Sequence, residues 1–369
     1  MGVENNITEN WIDTTLGEVC EIKYGKDHKK LNDGDIPCFG SGGLMRKVSE
    51  VLYDKPSVLI PRKGTLSNLF FIDEPFWTVD TLFYTKINLS KIIPKYLFYK
   101  LKTYDLESLN VGSAVPSLTT AVLNQFPFLI PNIPEQKAIA KVLTAFDDKI
   151  ELLQAQNKTL ETMAQTIFKE WFGKYQIGDE LPEGWRVGKL GDVMDIFDSK
   201  RVPLSKAQRE AMRGDYRYYG ATKVMDYVND YLFDGIYLLF AEDGSVMDDD
   251  GYPFLQYVWG KFWVNNHTHI LKGKNSFSTE LLYVLCKKMK VAGIVNGAVQ
   301  LKINQRNLLS KEIVLPNDSI LEKVDNTIQP LFNKLRINSS QIQSLTKTRD
   351  TLLPKLMSGQ VRVNNTKNA

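Results

Sequence analysis

Residues 135–172 read EQKAIAKVLTAFDDKIELLQAQNKTLETMAQTIFKEWF, and the spacing of their apolar positions decides how the chain is organised. Ile139, Leu143, Phe146, Ile150, Leu153, Asn157, Leu160, Ala164, Ile167 and Trp171 follow one another in alternating steps of four and three. That period, ~3.5 residues, keeps one seam of a long helix turned toward a partner helix. The same alternation returns at Leu321, Val324, Ile328, Leu331, Leu335, Asn338, Ile342, Leu345, Arg349 and Leu352. In both seams the sixth position is an asparagine, and a buried Asn there fixes register at some cost in stability. The expectation is an antiparallel helix pair with Asn157 and Asn338 close across the seam. Phe168 and Trp171 should close the first seam. Arg349 marks a place where an outside partner, rather than the first helix, covers the second.

With 369 residues the chain has room for two or three domains. A hydrophobic share of 43% and a charged share of 24% are those of a folded soluble protein. No apolar run is long enough to span a bilayer. The opening MGVENNITEN lacks the apolar core of a signal peptide, so the cytoplasm is expected. Cys20, Cys38 and Cys286 show no metal or redox spacing and read as reduced thiols. A net charge of +3 neither demands nor excludes a nucleic acid.

An internal repeat underlies everything else. Trp11-Ile-Asp-Thr-Thr-Leu16-Gly17-Glu18-Val19-Cys-Glu21-Ile22 returns as Trp185-Arg-Val-Gly-Lys-Leu190-Gly191-Asp192-Val193-Met-Asp195-Ile196. Phe39-Gly40 is echoed by Tyr219-Gly220, and Lys63-Gly64-Thr65 by Asp243-Gly244-Ser245. Gly112-Ser-Ala114-Val115 is echoed by Asn296-Gly-Ala298-Val299, and Leu123–Pro131 by Leu308–Pro316. The unit is a globular domain followed by a long helix, stated twice. Strands are predicted at 57–60, 77–79, 82–84, 126–130, 236–240, 258–264 and 268–271, with amphipathic helices at 94–101 and 279–288. The fold class is therefore α/β: two pseudo-repeated α/β domains separated by two long antiparallel coiled-coil helices. The boundaries are 1–132 for the first domain, 133–173 for the first helix and 174–316 for linker and second domain. The second helix takes 317–359 and a tail 360–369. Pro330 should kink the second helix near Asn326 or start it afresh, and Pro354 should end it.

The chemistry that is missing narrows the function. No phosphate-binding G-x-x-x-x-G-K-[ST] loop occurs, and Phe39-Gly-Ser-Gly-Gly43 lacks the spacing of a dinucleotide turn. His267-x-His269 on a strand would put both rings on one side, but no third metal ligand is in view. The acidic run Glu242 to Asp250 lacks the ligand order of a calcium loop and reads as a solvated turn. No nucleophile–base pair emerges.

What the chain does carry is matched basic segments. The first domain has Lys23, Tyr24, Lys26, Lys29 and Lys30, then Arg62 and Lys63; the second has Lys200, Arg201, Arg217 and Tyr219. Cations that neutralise phosphates, interleaved with polar and aromatic groups, are what a DNA-reading surface needs. Arginine can grip guanine with two hydrogen bonds, which singles out Arg62. The repeated segments add Ser41 and Ser113 in the first domain, and Thr222, Asn296, Gln300 and Lys302 in the second. Two readers held apart by a seam of roughly 48 Å, at ~1.5 Å per residue, suit two short sites about fourteen base pairs apart. A coiled-coil scaffold whose heads bind protein is the alternative, and the matched basic segments weigh against it.

At this point the chain resembles the specificity (S) subunits of Type I restriction–modification systems. The likeness rests on Pro134-Glu135-Gln136, on Leu160-Glu-Thr-Met-Ala-Gln-Thr-Ile-Phe168-Lys-Glu-Trp171-Phe172 and on Leu181-Pro-Glu-Gly-Trp185. Leu345-Thr-Lys-Thr-Arg349-Asp-Thr-Leu-Leu353-Pro-Lys-Leu-Met-Ser-Gly359 extends it. Ala241-Glu-Asp-Gly-Ser245 and Trp263-Val-Asn-Asn-His267-Thr-His269 resemble a second target-recognition domain, and Ile60-Pro-Arg62-Lys63-Gly64-Thr65 a first. The resemblance implies a non-catalytic chain reading a bipartite, asymmetric double-stranded DNA sequence. Its helices would dock two modification (methyltransferase) subunits, with restriction subunits joining them. S-adenosylmethionine, ATP and Mg²⁺ would sit on those partners and no cofactor or metal on this chain. One departure stands out: Pro316-Asn-Asp-Ser-Ile replaces Pro-Glu-Gln in the second copy.

Overall fold

The structure is a computed structural model and describes residues 11–112, 115–297 and 300–363. The chain forms two compact units: one from Met1–Leu153 with Gln341–Ala369, the other from Gln154–Ser340. Each contains one head, the opening half of the long helix that follows that head, and the closing half of the other long helix.

In the first head, Ser57–Pro61 is buried at every position, as a strand covered on both faces must be. It lies inside a four-stranded sheet, between Leu82–Ile87 and Phe70–Ile72, with Cys20–Tyr24 at the far edge. A separate three-stranded sheet runs Gly43–Val48, Ile36–Gly40, Trp77–Thr78. The second head makes one six-stranded sheet from the equivalent pieces, because Leu255–Val264 runs unbroken through both parts. In the first head that strand is interrupted by Asp73-Glu74-Pro75. Proline has no N–H to give a ladder, so the sheet divides there. The parallel pairing survives the break: Cys38 opposes Trp77 as Tyr218 opposes Trp263.

Helices Pro94–Lys102 and Thr279–Lys288 pack their apolar faces on these sheets. In the first head Tyr96, Leu97 and Leu101 share one core with Val58, Ile60 and Phe83. Ile12–Thr15 pairs antiparallel with Pro127–Ile130, and Arg186–Lys189 with Glu312–Leu315, so the start and end of each head are laced together.

The long helices span Ile133–Phe172 and Asp318–Met357. Each begins on an asparagine cap: Asn132 Oδ1 accepts from Glu135 N–H and Asn317 Oδ1 from Ile320 N–H, both at 3.0 Å. That cap starts the second helix without Pro-Glu-Gln. In the first copy Gln136 has another task. Fully buried, it accepts from Ile93 N–H at 2.8 Å and donates to the carbonyls of Lys91 and Pro131. It thereby clamps the long helix to the start of the head's own helix. The counterpart position holds Leu321, which is buried in the apolar core instead.

The seam is antiparallel. Ile139, Ala140 and Leu143 share a core with Leu352, Leu356 and Met357, while Ala164, Phe168 and Phe172 share one with Leu321, Val324, Ile328 and Phe332. Asn157 Nδ2 donates to Ser339 Oγ at 3.0 Å and Asn338 Nδ2 to Gln156 Oε1 at 3.4 Å, so the two asparagines meet as their spacing predicts.

Three expectations need correction. Trp171 is 43% exposed; Phe172, stacked on Phe168 at 4.4 Å, closes the seam in its place. Arg349 is covered by the first helix itself, its Nη1 2.6 Å from Asp147 Oδ1. The second helix runs unbroken through Pro330 and Pro354. Pro330 and Asn326 lie on the exposed side, where water can take the carbonyl that proline leaves unpaired.

The Oδ1 atoms of Asn157 and Asn338 are buried without a partner, a cost that an apolar pair would not carry. Replacing both by leucine should stabilise the protein by about 1–2 kcal/mol, read as a higher midpoint in urea. A lower midpoint would mean the asparagine pair is net favourable.

Candidate nucleic-acid interface

Arg62 follows the buried strand Ser57–Pro61, so its backbone is rigidly placed. Its Nε donates to the Asp80 carbonyl at 2.6 Å, and Nη2 lies 3.4 Å from the Asp80 carboxylate. The guanidinium sits 5.8 Å from the ring centre of exposed Tyr24, which packs edge-on against Phe83. Asp80 engages two of the five guanidinium donors, and a held arginine loses less freedom when it binds.

Beside it the chain makes a turn at Gly64, whose φ of +92° suits glycine. Gly64 N–H donates to the Pro116 carbonyl at 3.1 Å, and Lys63 bridges to Ser117. Ser41 Oγ adjoins Gly64, and Asn68 Nδ2 donates to the Ser41 carbonyl at 2.8 Å. Ser41, Arg62 and Lys63 thus share one surface with the loop leading to Ser117. Ser113 lies outside the described residues. Lys26, Lys29 and Lys30 are exposed, and Lys23 pairs with Glu21.

The second head builds the same turn with other side chains. Gly244, φ +77°, donates to the Leu301 carbonyl at 3.0 Å, and Asp243 bridges to Lys302. Where the first head has Arg62, this one has Glu242. Around it lies a buried ion network. Arg201 Nη1 is 2.5 Å from Glu242 Oε2, Nη2 is 3.5 Å from Asp198 Oδ2, and Nη1 also donates to the carbonyls of Asn266 and Thr268. His269, fully buried, meets Asp198 at 2.5 Å and the Ile303 carbonyl at 2.7 Å.

Asp198, Glu242 and His269 bring ligand-type atoms within 4.8 Å of one another. The Arg201 guanidinium already supplies the positive charge that this group calls for. Burial works against the ionised form of both carboxylates. For Asp198 the bonds from His269, Ile270 N–H and Gln305 outweigh it; for Glu242, Arg201, His269 and Lys302 do. Both are held below the ordinary carboxylate range. His267 does not join them: it precedes the strand Thr268–Gly273 and pairs with Asp243 at 2.6 Å.

Several residues in the second head therefore take roles the sequence did not indicate. Arg201 holds the fold together. Tyr219 is core, edge-on to Phe262, and Arg217 Nη1 donates to its hydroxyl at 3.4 Å. Lys200, Thr222, Asn296, Gln300 and Lys302 are exposed; Asn296 and Asp243 both bridge to Lys302, whose Nζ lies 3.1 Å from Glu242. Asp80 and Asn68 escaped sequence reasoning, since a side chain that positions its neighbour has no signature spacing, and Glu242, expected at the start of a solvated turn, is buried instead.

Two β-rich heads with matched turns, joined to paired long helices, define a class of modular recognition subunit. The family described as Type I restriction modification DNA specificity domain matches residues 8–162 and 182–347. The Type I restriction enzyme MjaIX specificity subunit of Methanocaldococcus jannaschii is 27% identical over 86% of this chain and 81% of its own. The HindI specificity subunit of Haemophilus influenzae is 21% identical over 96% and 95%. The crystal structure of a Type I restriction–modification S subunit from M. genitalium superposes with a TM-score of 0.65 at 18% identity, covering 97% of this chain and 98% of that one. The chain belongs to the Type I restriction–modification DNA specificity family, and it is a specificity subunit with two DNA-recognition domains.

Arg201 and Arg62 should separate cleanly on mutation. Arg201→Ala strands buried carboxylates and should destabilise the second head by about 3–5 kcal/mol, whereas Arg62→Ala should cost under ~1 kcal/mol in urea unfolding. Because folding depresses the pKa of Asp198 and Glu242, their contribution is complete above about pH 5 and is lost as pH falls through the folded values. Removing Arg201 lets the folded Glu242 pKa rise, so the stability gap between the parent and Arg201→Ala should be largest near neutral pH and should narrow as pH falls through the folded Glu242 value.

Proposed function

We propose that each head reads one half of a bipartite, asymmetric duplex sequence, and that the paired helices carry two modification subunits and set the gap between the halves. One observation carries this reading: the same glycine turn is built twice with different side chains beside it, Arg62 and Lys63 in one head, Glu242 and Asp243 in the other. A common frame with different side chains beside it suits two different base sequences, since donors and acceptors on base edges differ from pair to pair. Exposed Lys26, Lys29, Lys30, Lys200 and Lys302 serve as phosphate contacts, which fix position rather than sequence.

In this reading the chain is non-catalytic, works in the cytoplasm and holds no cofactor. S-adenosylmethionine belongs to the modification subunits, ATP and Mg²⁺ to restriction subunits that join them. Arg62 is the residue assigned to guanine.

Exchanging residues 11–130 for those of another specificity subunit should alter one half of the methylated motif and leave the other half intact, as long-read methylation sequencing would report. A change in both halves refutes modular reading. Inserting seven residues into both long helices should lengthen the gap by about three base pairs, at ~1.5 Å per residue and ~3.4 Å per base pair. An unchanged gap refutes the ruler.

A further inference from the structure

Each head carries a β-hairpin with the same defect in the same place. In the hairpin of Ile36–Gly40 and Gly43–Val48, Cys38 pairs with Arg46 and Phe39 with Leu44, so Met45 is an extra residue with no partner. In the hairpin of Arg213–Tyr219 and Val224–Val228, Tyr218 pairs with Asp226 and Tyr219 with Val224, so Met225 is extra. The two methionines occupy matching positions of the repeat that pairs Phe39-Gly40 with Tyr219-Gly220. A bulge re-aims the side chain it displaces, and such features gather beside functional sites.

Both displaced side chains land on a prepared seat. Met45 Sδ lies only 2.5 Å from where a Cβ on Gly40 would be, and Met225 Sδ stands at the same 2.5 Å over Gly220. Any larger residue than glycine would push the thioether away. In the second head Asn265 Nδ2 donates to Met225 Sδ at 3.6 Å, and Gln256 Nε2 ties down the carbonyls of Gly220 and Ala221. Despite these seats the methionines remain half exposed, at 54% and 50%. Neither completes a core. The turn after Gly40 also carries Ser41, which touches Gly64, so this hairpin adjoins the Arg62–Lys63 surface. Exposed Lys47 and Lys223 flank the two methionines.

We infer that these two bulged hairpins are base-reading ribbons, and that Met45 and Met225 contact the C5-methyl groups of thymine in the major groove. The inference rests on the bipartite reading above and names a reading element within each head. The major groove admits a two-stranded ribbon, and thymine is the base that offers it an apolar group. A flexible, polarizable thioether suits that contact.

The test uses the full chain assembled with its modification subunits and a duplex carrying the methylated motif. In one set of duplexes the thymines of one half-site, on both strands, are replaced by deoxyuridine, which removes only the methyl. The parent should lose about threefold to fivefold in affinity for each methyl contacted. Met45→Ala should lose a similar factor on the unmodified duplex, and should no longer sense deoxyuridine in one half-site while still sensing it in the other. Met225→Ala should show the reciprocal pattern. Met45→Gln keeps the length that covers Gly40 and controls for loss of the seat; it too should lose methyl sensitivity, while Met45→Leu should retain it. Sensitivity in the variants equal to that of the parent, or a half-site without thymine on either strand, overturns the inference and leaves the bipartite reading standing. Equal affinity of the parent for motif and random duplex overturns the bipartite reading itself.

Discussion

The rest of the structure depends on how each head is gripped: by two helix halves, one from each long helix, that share its core. In the first unit Ile139 and Leu143 from the beginning of one helix and Leu356 and Met357 from the end of the other lie in the same cluster as Val58, Phe83 and Tyr96. In the second unit the roles are exchanged, with Phe168 and Phe172 beside Val324 and Ile328 under Leu238 and Phe240. Most helical stability comes from packing an apolar stripe, so neither long helix is independent of the heads. Polar bonds then fix the fit. Tyr99 donates to Asp147, which also meets Arg349; Lys100 Nζ donates to the Met357 carbonyl at 2.6 Å. Glu280, nearly fully buried, gathers Tyr257, Gln329 and Arg336.

The second lesson concerns how one backbone frame supports different surfaces. The glycine turns, the bulged hairpins and the parallel strand pairs coincide between the heads, whereas the charges beside them do not. Arg62 leans on Asp80 and Tyr24; Glu242 is neutralised by Arg201, which arrives from a different strand connection. Conserving the frame while varying such partners is how a chain holding two copies of one design can carry two different preferences.

The long helices, the repeat and most central strands were legible in the sequence because each rests on a periodicity: 3.5 along the seams, a constant offset for the repeat, and unbroken apolar runs for buried strands. The asparagine pair was legible for the same reason. What escaped was decided by single contacts. Arg201 and Tyr219 belong to a basic, aromatic stretch whose composition fits a surface, yet Arg201 meets buried Asp198 and Glu242 and Tyr219 meets Phe262. Whether a cation faces solvent or a buried acid depends on a residue distant in the chain, and periodicity carries no such information. Prolines misled in the opposite sense. Pro330 lies on an exposed side of its helix, where the carbonyl it leaves unpaired is open to solvent, so apolar packing at Ile328 and Phe332 prevails.

Asp73-Glu74-Pro75 has a further consequence for the first head. Its hairpin belongs to a small ladder of its own, tied to the four-stranded sheet by packing of Phe39 on Phe70 and not by strand hydrogen bonds. In the second head the equivalent hairpin is the margin of a continuous six-stranded sheet, and any shift there strains every strand behind it. The two topologies predict different compliance: moving the hairpin disturbs fewer strand hydrogen bonds in the first head than in the second.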